Sequence, residues 1–489
     1  MTMRDTLRLS EIAARLTGGI QVVGADPLIT GVTHDSRAVG PGDLFVAIPG
    51  ALVDGHDYVE RAVASGAAAV AVERSVDCPS RIVVSDARAA LPWLAAAVYG
   101  DPSHHLPVVG VTGTNGKTTV THLLERIIIA SGRTPGVVGT IGARIGQIEE
   151  SVARTTPEAS DLQRLLAEMI DAGVDVAAIE VSSHALSLHR VDAIRFRVAA
   201  FTNLMQDHLD FHGDMDRYFA AKASLFTLDR ADHAVVGVDD EAGRKIAAST
   251  AVPATTVSVD GDADITASSL EESFGGSSFT VNTPTGSFAA HLPIPGRFNV
   301  HNALVAAAIA LELRIDAEAV ISGLASATTI PGRFERVAGD DGPVVVVDYA
   351  HTPDAIEAVV RGARRLSTGR IVVIFGAGGD RDREKRPAMG RAAASADLVV
   401  LTSDNPRSED PDVIRASVRS GIEASTDVIE EPDRRRAIRH GLEAAGPGDL
   451  VLILGKGHEA GQEIGGMIEP FDDRVVALEE LLALSEESA

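Results

Sequence analysis

The chain of 489 residues carries 69 acidic against 44 basic residues, a formal charge of −25, with 45% hydrophobic and 23% charged residues. That length suggests about three domains of roughly 150 residues, and the apolar content lets each bury a core. The acidity argues against a nucleic-acid backbone as partner, because phosphate contacts need clustered Lys and Arg, so any anion must be held at local cationic sites. The only cysteine, Cys78, rules out an intrachain disulfide and a multi-cysteine zinc site. The N-terminal run through Leu16 has no apolar signal core, and no stretch approaches the roughly 18 apolar residues of a membrane span. A cytoplasmic, monomeric protein is expected, neither membrane-embedded nor bound to nucleic acid.

Residues 1–103 read as a smaller α/β domain. Strand signals fall at Asp43 to Ile48, Ala68 to Val72 and Ile82 to Val84, with a helical stretch from Tyr58 to Ser65 between the first two. Asp101-Pro102-Ser103 reads as a connector. Residues 104–332 open on Pro107 to Val111, a short buried-strand pattern, followed by a glycine-rich turn and a helix. In that helix Val120, Leu123, Leu124, Ile127 and Ile128 recur at helical spacing. Strands and helices alternate to Pro331-Gly332, the pattern of a parallel sheet with helices on its faces. Residues 333–489 repeat it as a Rossmann-like sheet, starting at Val344 to Val347.

The glycine-rich turn, Gly110-Val-Thr-Gly-Thr-Asn-Gly-Lys-Thr-Thr119, sits between strand and helix as a phosphate loop requires. Backbone N–H groups and the helix N-terminus suit phosphate oxygens. Lys117 is placed to reach the β- and γ-phosphates and Thr118 to hold Mg²⁺. Val111 departs from the standard spacing, which wants glycine there; Gly110, Gly113 and Gly116 replace it.

Further along, Ala177 to Glu180 reads as a buried strand running into Val181-Ser-Ser-His184. Glu180 suits a hard metal ion or the cap of a neighbouring helix. Phe201 to Gly213 holds Asp207, His208, Asp210 and His212, an apolar strand running into an active-site pattern. Without cysteine, such a cluster favours Mg²⁺ or Mn²⁺ over zinc, although His208 alone also fits an ordinary satisfied histidine. Lys222 interrupts the apolar face of the helical stretch Tyr218 to Phe226, and the residues alone favour a lysine that snorkels to solvent.

Four apolar strands of the last segment each end in a polar motif. These are Asp348-Tyr-Ala-His-Thr-Pro-Asp354, Gly376-Ala-Gly-Gly-Asp-Arg-Asp-Arg383, Ser403-Asp-Asn-Pro-Arg407 and Gly455-Lys-Gly-His-Glu459. Ligands of open parallel sheets bind beyond the carboxyl ends of the strands. Arg381 and Arg407 suit carboxylates, and Asp404 and Glu459 suit an ammonium group; an amino acid presents both.

Together these motifs resemble the Mur ligase family, over nearly the whole chain and in the expected order. The resemblance rests on Gly113 to Thr119, Glu180 to His184, Thr202-Asn-Leu with Asp207-His208, Gly296-Arg-Phe-Asn-Val-His-Asn302, Asp348 to Pro353 and Asp404 to Arg407. Asp35-Ser-Arg37 and Gly42 to Phe45 look like that family's uridine-nucleotide domain.

The resemblance implies an ATP-dependent ligase of cell-wall precursor synthesis. It would phosphorylate the terminal carboxylate of a UDP-N-acetylmuramoyl peptide and join the acyl group to an amino acid. ATP would be met by Gly113, Thr114, Asn115, Gly116, Lys117, Thr118, Thr119, Asn299, Asn302, Arg333 and Asp348. Thr118 and Glu180 would hold one Mg²⁺, and His208 with a carbamylated Lys222 a second. Ser36, Thr155, Thr156, Ser182 and Arg190 match the residues that hold the nucleotide peptide. Arg381, Asp404, Asn405, Pro406, Arg407, Gly455 and Glu459 would take the amino acid. The Asp404-Asn-Pro-Arg407 loop implies meso-diaminopimelate rather than L-lysine. Two departures stand out: Leu188 where glutamine is common, and Gly237 where asparagine is common. A folylpolyglutamate-synthetase-like ligase lacks the N-terminal domain seen here, and a non-catalytic nucleotide switch would need no amino-acid site.

Overall fold

The computed structural model describes residues 6–16, 20–50, 53–339 and 342–487. The first five residues of the N-terminal stretch lie outside them. Among the described residues, three large sheets and two two-stranded ones carry the fold.

The N-terminal sheet has five strands in the order Val22–Gly24, Ser80–Val83, Ala69–Val72, Asp43–Val46 and Gly31–Thr33. All neighbours are parallel except the edge strand Val22–Gly24. The helical stretch expected at 58–65 divides into a 3₁₀ turn, Gly55–Tyr58, and a helix, Val59–Ala64. Asp54 caps the turn, accepting from His56 N.

The central sheet has eleven strands. Its middle is parallel, in the order Pro135–Gly139, Val176–Glu180, Val108–Thr112, Phe196–Phe201, Ala231–Gly237 and Ala254–Ser258. Both edges turn antiparallel, which the alternation of strands and helices did not indicate. Strands Gly142–Ile145 and Ile148–Glu150 form one edge; at the other, Ile265–Ser273 still runs parallel to Ala254–Ser258, and Gly276–Thr283 and Gly286–Leu292 follow antiparallel. The antiparallel neighbours are joined by two-residue links, too short for a crossover helix, so the chain returns antiparallel there. Val120, Leu123, Leu124, Ile127 and Ile128 are fully buried, as the spacing predicts. Their helix, Lys117–Ala130, packs on the sheet and on helix Arg297–Glu312.

The C-terminal sheet runs Glu335–Ala338, Val344–Asp348, Leu450–Leu454, Ile371–Phe375, Leu398–Leu401 and Val428–Glu430. The last five are mutually parallel and Glu335–Ala338 is antiparallel. Leu450–Leu454 inserts between Val344–Asp348 and Ile371–Phe375, two strands formed much earlier in the chain, so the chain order switches there. The four polar motifs therefore emerge along one edge, at the switch point where open α/β sheets bind ligands.

Candidate active site

Strand Val108–Thr112 lies between Val176–Glu180 and Phe196–Phe201, parallel to both. Parallel register brings three strand ends together: the phosphate loop, Glu180 and Thr202. Val111 is fully buried in the ladder, so its side chain is core, and the loop begins after it. Two glycines are then obligatory. A Cβ on Gly113 would stand 1.9 Å from Thr202 Oγ1, and one on Gly116 2.3 Å from Asn302 Oδ1, both at positive φ.

Lys117 Nζ folds back to donate to the carbonyls of Gly113 and Thr114, each at 2.9 Å. Its burial pushes its pKa below the usual lysine range. Thr118 Oγ1 donates to Glu180 Oε2 at 3.0 Å. Glu180 also accepts from Thr140 N at 2.9 Å and Thr140 Oγ1 at 3.0 Å. Arg333 reaches across from the C-terminal segment, its Nη2 3.4 Å from Thr118 Oγ1 and its guanidinium 4.5 Å over the Tyr349 ring.

A cleft of about 620 Å³ opens beside the loop, lined by Asn115, Gly116, Thr119, Asn299, Asn302, Arg333 and Asp348, a volume suited to a small-molecule ligand. Asn299 Nδ2 donates to Pro295 O at 2.8 Å, which fixes the amide. Asp348 accepts from Phe334 N at 2.6 Å and Ala350 N at 2.7 Å, yet burial raises its pKa. Gly237 has a structural reason here. A Cβ on it would lie 2.6 Å from His301 Nε2 and 2.7 Å from Thr202 O, so His301 fills the room a larger residue would take.

Lys222 does not snorkel. It is 1% exposed, and its Nζ donates to Gly113 O at 2.8 Å, directly behind the phosphate loop. Burial and then the charge of Lys117 hold its pKa well below the usual range. The periodicity showed a lysine on an apolar face; it could not show that the face meets the loop instead of solvent.

Asp207 and His208 are shared with the C-terminal segment. Asp207 accepts from Lys385 Nζ at 3.1 Å and stands 3.6 Å from His351 Nε2 and 3.4 Å from His208 Nε2. The His208 pKa falls to about 3, first through desolvation. Asp207 is thus taken up by cationic and imidazole partners, while His212 Nε2 lies 2.9 Å from Ser183 Oγ. Among the described residues no three His, Cys, Asp or Glu side chains converge as a metal-holding group. His351 lies in the Asp348–Asp354 motif without an assigned role, and Lys385 is a site residue outside the motifs; the charge run Asp380 to Arg386 is the signal for the lysine.

Thr156, Ser182 and Arg190 gather at the Glu180 strand end. Thr156 Oγ1 donates to Glu180 O at 2.7 Å and accepts from Ser182 N at 3.0 Å. Arg190 Nη1 donates to Thr156 O at 3.1 Å and Nη2 pairs with Glu158 at 2.8 Å. Arg88 and Arg154 join the same buried carboxylate at 3.4 and 3.3 Å, a cationic surplus that sequence spacing concealed. Thr155 Oγ1 lies 3.1 Å from Thr140 Oγ1. Ser36 comes from the N-terminal sheet, two residues from His34, whose Nδ1 is 3.3 Å from Ser160 Oγ. Leu188 ends helix Ser183–Ser187 as its C-cap.

At the C-terminal sheet edge, Asn405 Nδ2 donates to Glu459 Oε2 at 2.8 Å. Asp404 crowds Gly455, where a Cβ would stand 2.4 Å from Asp404 Oδ2. Glu459 is raised in pKa by burial and by the nearby Asp404 charge. Arg407, after Pro406, holds a left-handed φ of +56° and donates from Nη1 to Gly379 O at 2.7 Å. Arg381 is exposed, its Nη1 turned to its neighbour's carbonyl, Asp380 O, at 2.9 Å; the structure does not fold it into the loop as it does Arg407. Beneath the edge lies a fully buried ion pair, Arg434 with Asp473, at 2.7 Å. Arg434 also donates to Leu454 O at 3.0 Å and Ser403 O at 3.4 Å, the last turns before Gly455 and Asp404.

Three family descriptions match in series: "Mur ligase family, catalytic domain" over residues 28–100, "Mur ligase middle domain" over 111–310, and "Mur ligase, glutamate ligase domain" over 332–457. The chain is a Mur ligase. Relatives match along its whole length. A Streptomyces coelicolor protein named UDP-N-acetylmuramoyl-L-alanyl-D-glutamate--2,6-diaminopimelate ligase is 45% identical, covering 96% of each chain. One of the same name from Geobacillus thermodenitrificans is 43% identical, over 96% of this chain and 98% of that one. A solved structure titled as the same ligase superposes on this Mur ligase with a TM-score of 0.69 at 34% identity, over 98% and 99% of the two chains. The match to residues 28–100 sets this Mur ligase apart from the two-domain ligase alternative, which has no counterpart of the N-terminal sheet.

Proposed function

We propose that this Mur ligase adds meso-2,6-diaminopimelate to UDP-N-acetylmuramoyl-L-alanyl-D-glutamate, converting ATP to ADP and phosphate as the amide forms. The observation that carries the reading is full-length identity to ligases of that name, joined to an arginine at position 407 of the amino-acid loop. Residues 1–103 hold the uridine nucleotide, 104–332 ATP and 333–489 the amino acid. The enzyme works in the cytoplasm, as a monomer, on small molecules.

A carboxylate is a poor electrophile, so the peptide's terminal carboxylate first takes the γ-phosphoryl group, forming an acyl phosphate and releasing ADP. The amine of the incoming amino acid attacks the acyl carbon, a tetrahedral intermediate forms, and phosphate leaves. Lys117 stabilises charge on the transferring phosphoryl group. Arg333, already at Thr118, adds a second cation there. Asn299 and Asn302 line the nucleobase end of the cleft, and Asp348 lies towards the ribose. Thr155, Thr156, Ser182 and Arg190 orient the peptide carboxylate at the Glu180 strand end.

Thr118 and Glu180 present hard oxygen donors 3.0 Å apart at the start of the phosphate-loop helix, a set that fits Mg²⁺ completed by nucleotide oxygens and water. When bound, Mg²⁺ neutralises the phosphate charge. A second ion would be held by His208 and Lys222. Lys222 as a free cation repels both a metal and Lys117. As a carbamate it becomes an anionic oxygen ligand, and its depressed pKa leaves the neutral amine that reacts with CO₂. Lys222→Ala is expected to keep the fold and turn over at least about tenfold more slowly, with partial recovery in short-chain carboxylates that replace the missing oxygen. Unchanged turnover, or an unmodified mass for the Lys222 peptide under native conditions, would remove the carbamate from the mechanism. The reading as a whole is tested by phosphate release with the nucleotide dipeptide and a panel of amino acids. Release without both co-substrates would mark an ATPase instead.

A further inference from the structure

Strands Gly461–Ile464 and Met467–Pro470 form a hairpin against the amino-acid loop. Arg407 N donates to Glu463 O at 3.0 Å, and Gly465 N donates to Arg407 O at 2.8 Å, so residue 407 is tied to the hairpin on both sides. Glu463 N donates in turn to Asn405 Oδ1 at 2.9 Å. This register sets the Glu463 side chain beside Arg407, with Oε2 3.5 Å from Nε. Arg407 Nη1 is already committed to Gly379 O. A guanidinium takes a carboxylate in two parallel hydrogen bonds along one edge. The edge left open is Nε with Nη2, and Glu463 stands on it. Both side chains are partly exposed, 22% and 38%, so the pair is weak and yields to a better ligand.

We propose that Glu463 is a specificity-determining residue for the far end of the added amino acid. It selects a carboxylate that has an ammonium group beside it over a carboxylate alone. The inference rests on placing the amino acid at Arg407, as above. An incoming carboxylate takes the open edge and displaces Glu463, which is then left facing a second anion. A far end that also carries an ammonium group gives Glu463 a new partner and relieves that repulsion. A far end with an ammonium group only leaves the Arg407–Glu463 pair closed and meets the guanidinium as a like charge.

The test compares kcat/KM for meso-diaminopimelate and for 2-aminopimelate, which lacks the far amine, in wild type, Glu463→Gln and Glu463→Asp. Wild type prefers diaminopimelate. Glu463→Gln narrows the preference by roughly three- to tenfold, mainly through better use of 2-aminopimelate, and Glu463→Asp restores most of it. An unchanged ratio in a Gln variant whose KM for ATP is that of wild type overturns the proposal. Arg407→Ala separates the two levels. If it leaves the use of both amino acids unchanged, the placement of the substrate fails. If it lowers both while Glu463→Gln leaves the ratio alone, the Glu463 inference fails by itself.

Discussion

Lys117→Ala is expected to lower ligation by at least about 10²–10³-fold, the range seen when a preorganised electrostatic donor is removed, with the protein still folded. Among the described residues, the lysine's hydrogen bonds go to the two carbonyls of its own loop, Gly113 and Thr114. Both are backbone groups at the cleft, so water replaces the ammonium group when it is gone. Removing a partly buried cation also removes its desolvation penalty, and the two effects offset each other in stability. The loop's shape comes from elsewhere: Gly113 and Gly116 packed against Thr202 and Asn302, and Asn115 N donating to Asn203 Oδ1 at 3.0 Å. The loss therefore falls on kcat, with a melting temperature close to wild type. Thermal unfolding beside phosphate-release kinetics checks both halves. Near-normal turnover in a folded variant would exclude Lys117 from phosphoryl transfer.

Arg407→Ala is expected to abolish most of the preference for meso-diaminopimelate over L-lysine. Diaminopimelate is lysine with a second carboxylate at the far end, and that carboxylate is the group a guanidinium recognises. A charge-assisted hydrogen bond contributes about 1.5–3 kcal/mol, which is roughly tenfold to a hundredfold in kcat/KM. The left-handed backbone at residue 407 and the hairpin hydrogen bonds hold the side chain in place before substrate arrives, so little ordering is charged against binding. In wild type the guanidinium also repels lysine's lone ammonium group, and the variant relieves that repulsion. The measurement is steady-state turnover with each amino acid in both proteins. Equal use of lysine by wild type would defeat the specificity while leaving the ligase assignment intact.

Strands and motifs were legible in the sequence wherever one local rule decided them. Ile371 to Phe375, Leu398 to Leu401 and Leu450 to Leu454 are strands at the expected residues, because continuous apolar runs of that length have few other fates in an α/β chain. The central sheet's far edge was not legible. Ile265–Ser273 is rich in Ser and Glu, is half-exposed and carries a bulge between Ser268 and Glu271, so its pattern of alternation is broken. Site residues divided on the same principle. Thr118 with Glu180 follows from adjacent strand ends, and Asn405 with Glu459 from loops that leave the same edge of one parallel sheet, two strands apart. The residue pattern alone sends Lys222 to solvent and gives Lys385 no role, because their partners are set by tertiary packing: Lys385 meets Asp207 across 178 positions of sequence. Glu463 carried no local signal, since a hairpin glutamate beside Gly465-Gly466 reads as an ordinary exposed charge.

The buried pair of Arg434 and Asp473 bears on how the protein is made. Its members lie 39 positions apart, and synthesis delivers the arginine first. All four strand ends of the amino-acid loop region exist before Asp473 does, yet the carbonyls before Asp404 and Gly455 are held by a guanidinium that still lacks its counter-ion. A buried charge left without its partner costs about 3–5 kcal/mol, a large share of what keeps a domain folded. A nascent or prematurely released chain that stops short of the last helix is therefore a target for proteases, detectable by its cleavage in limited digestion.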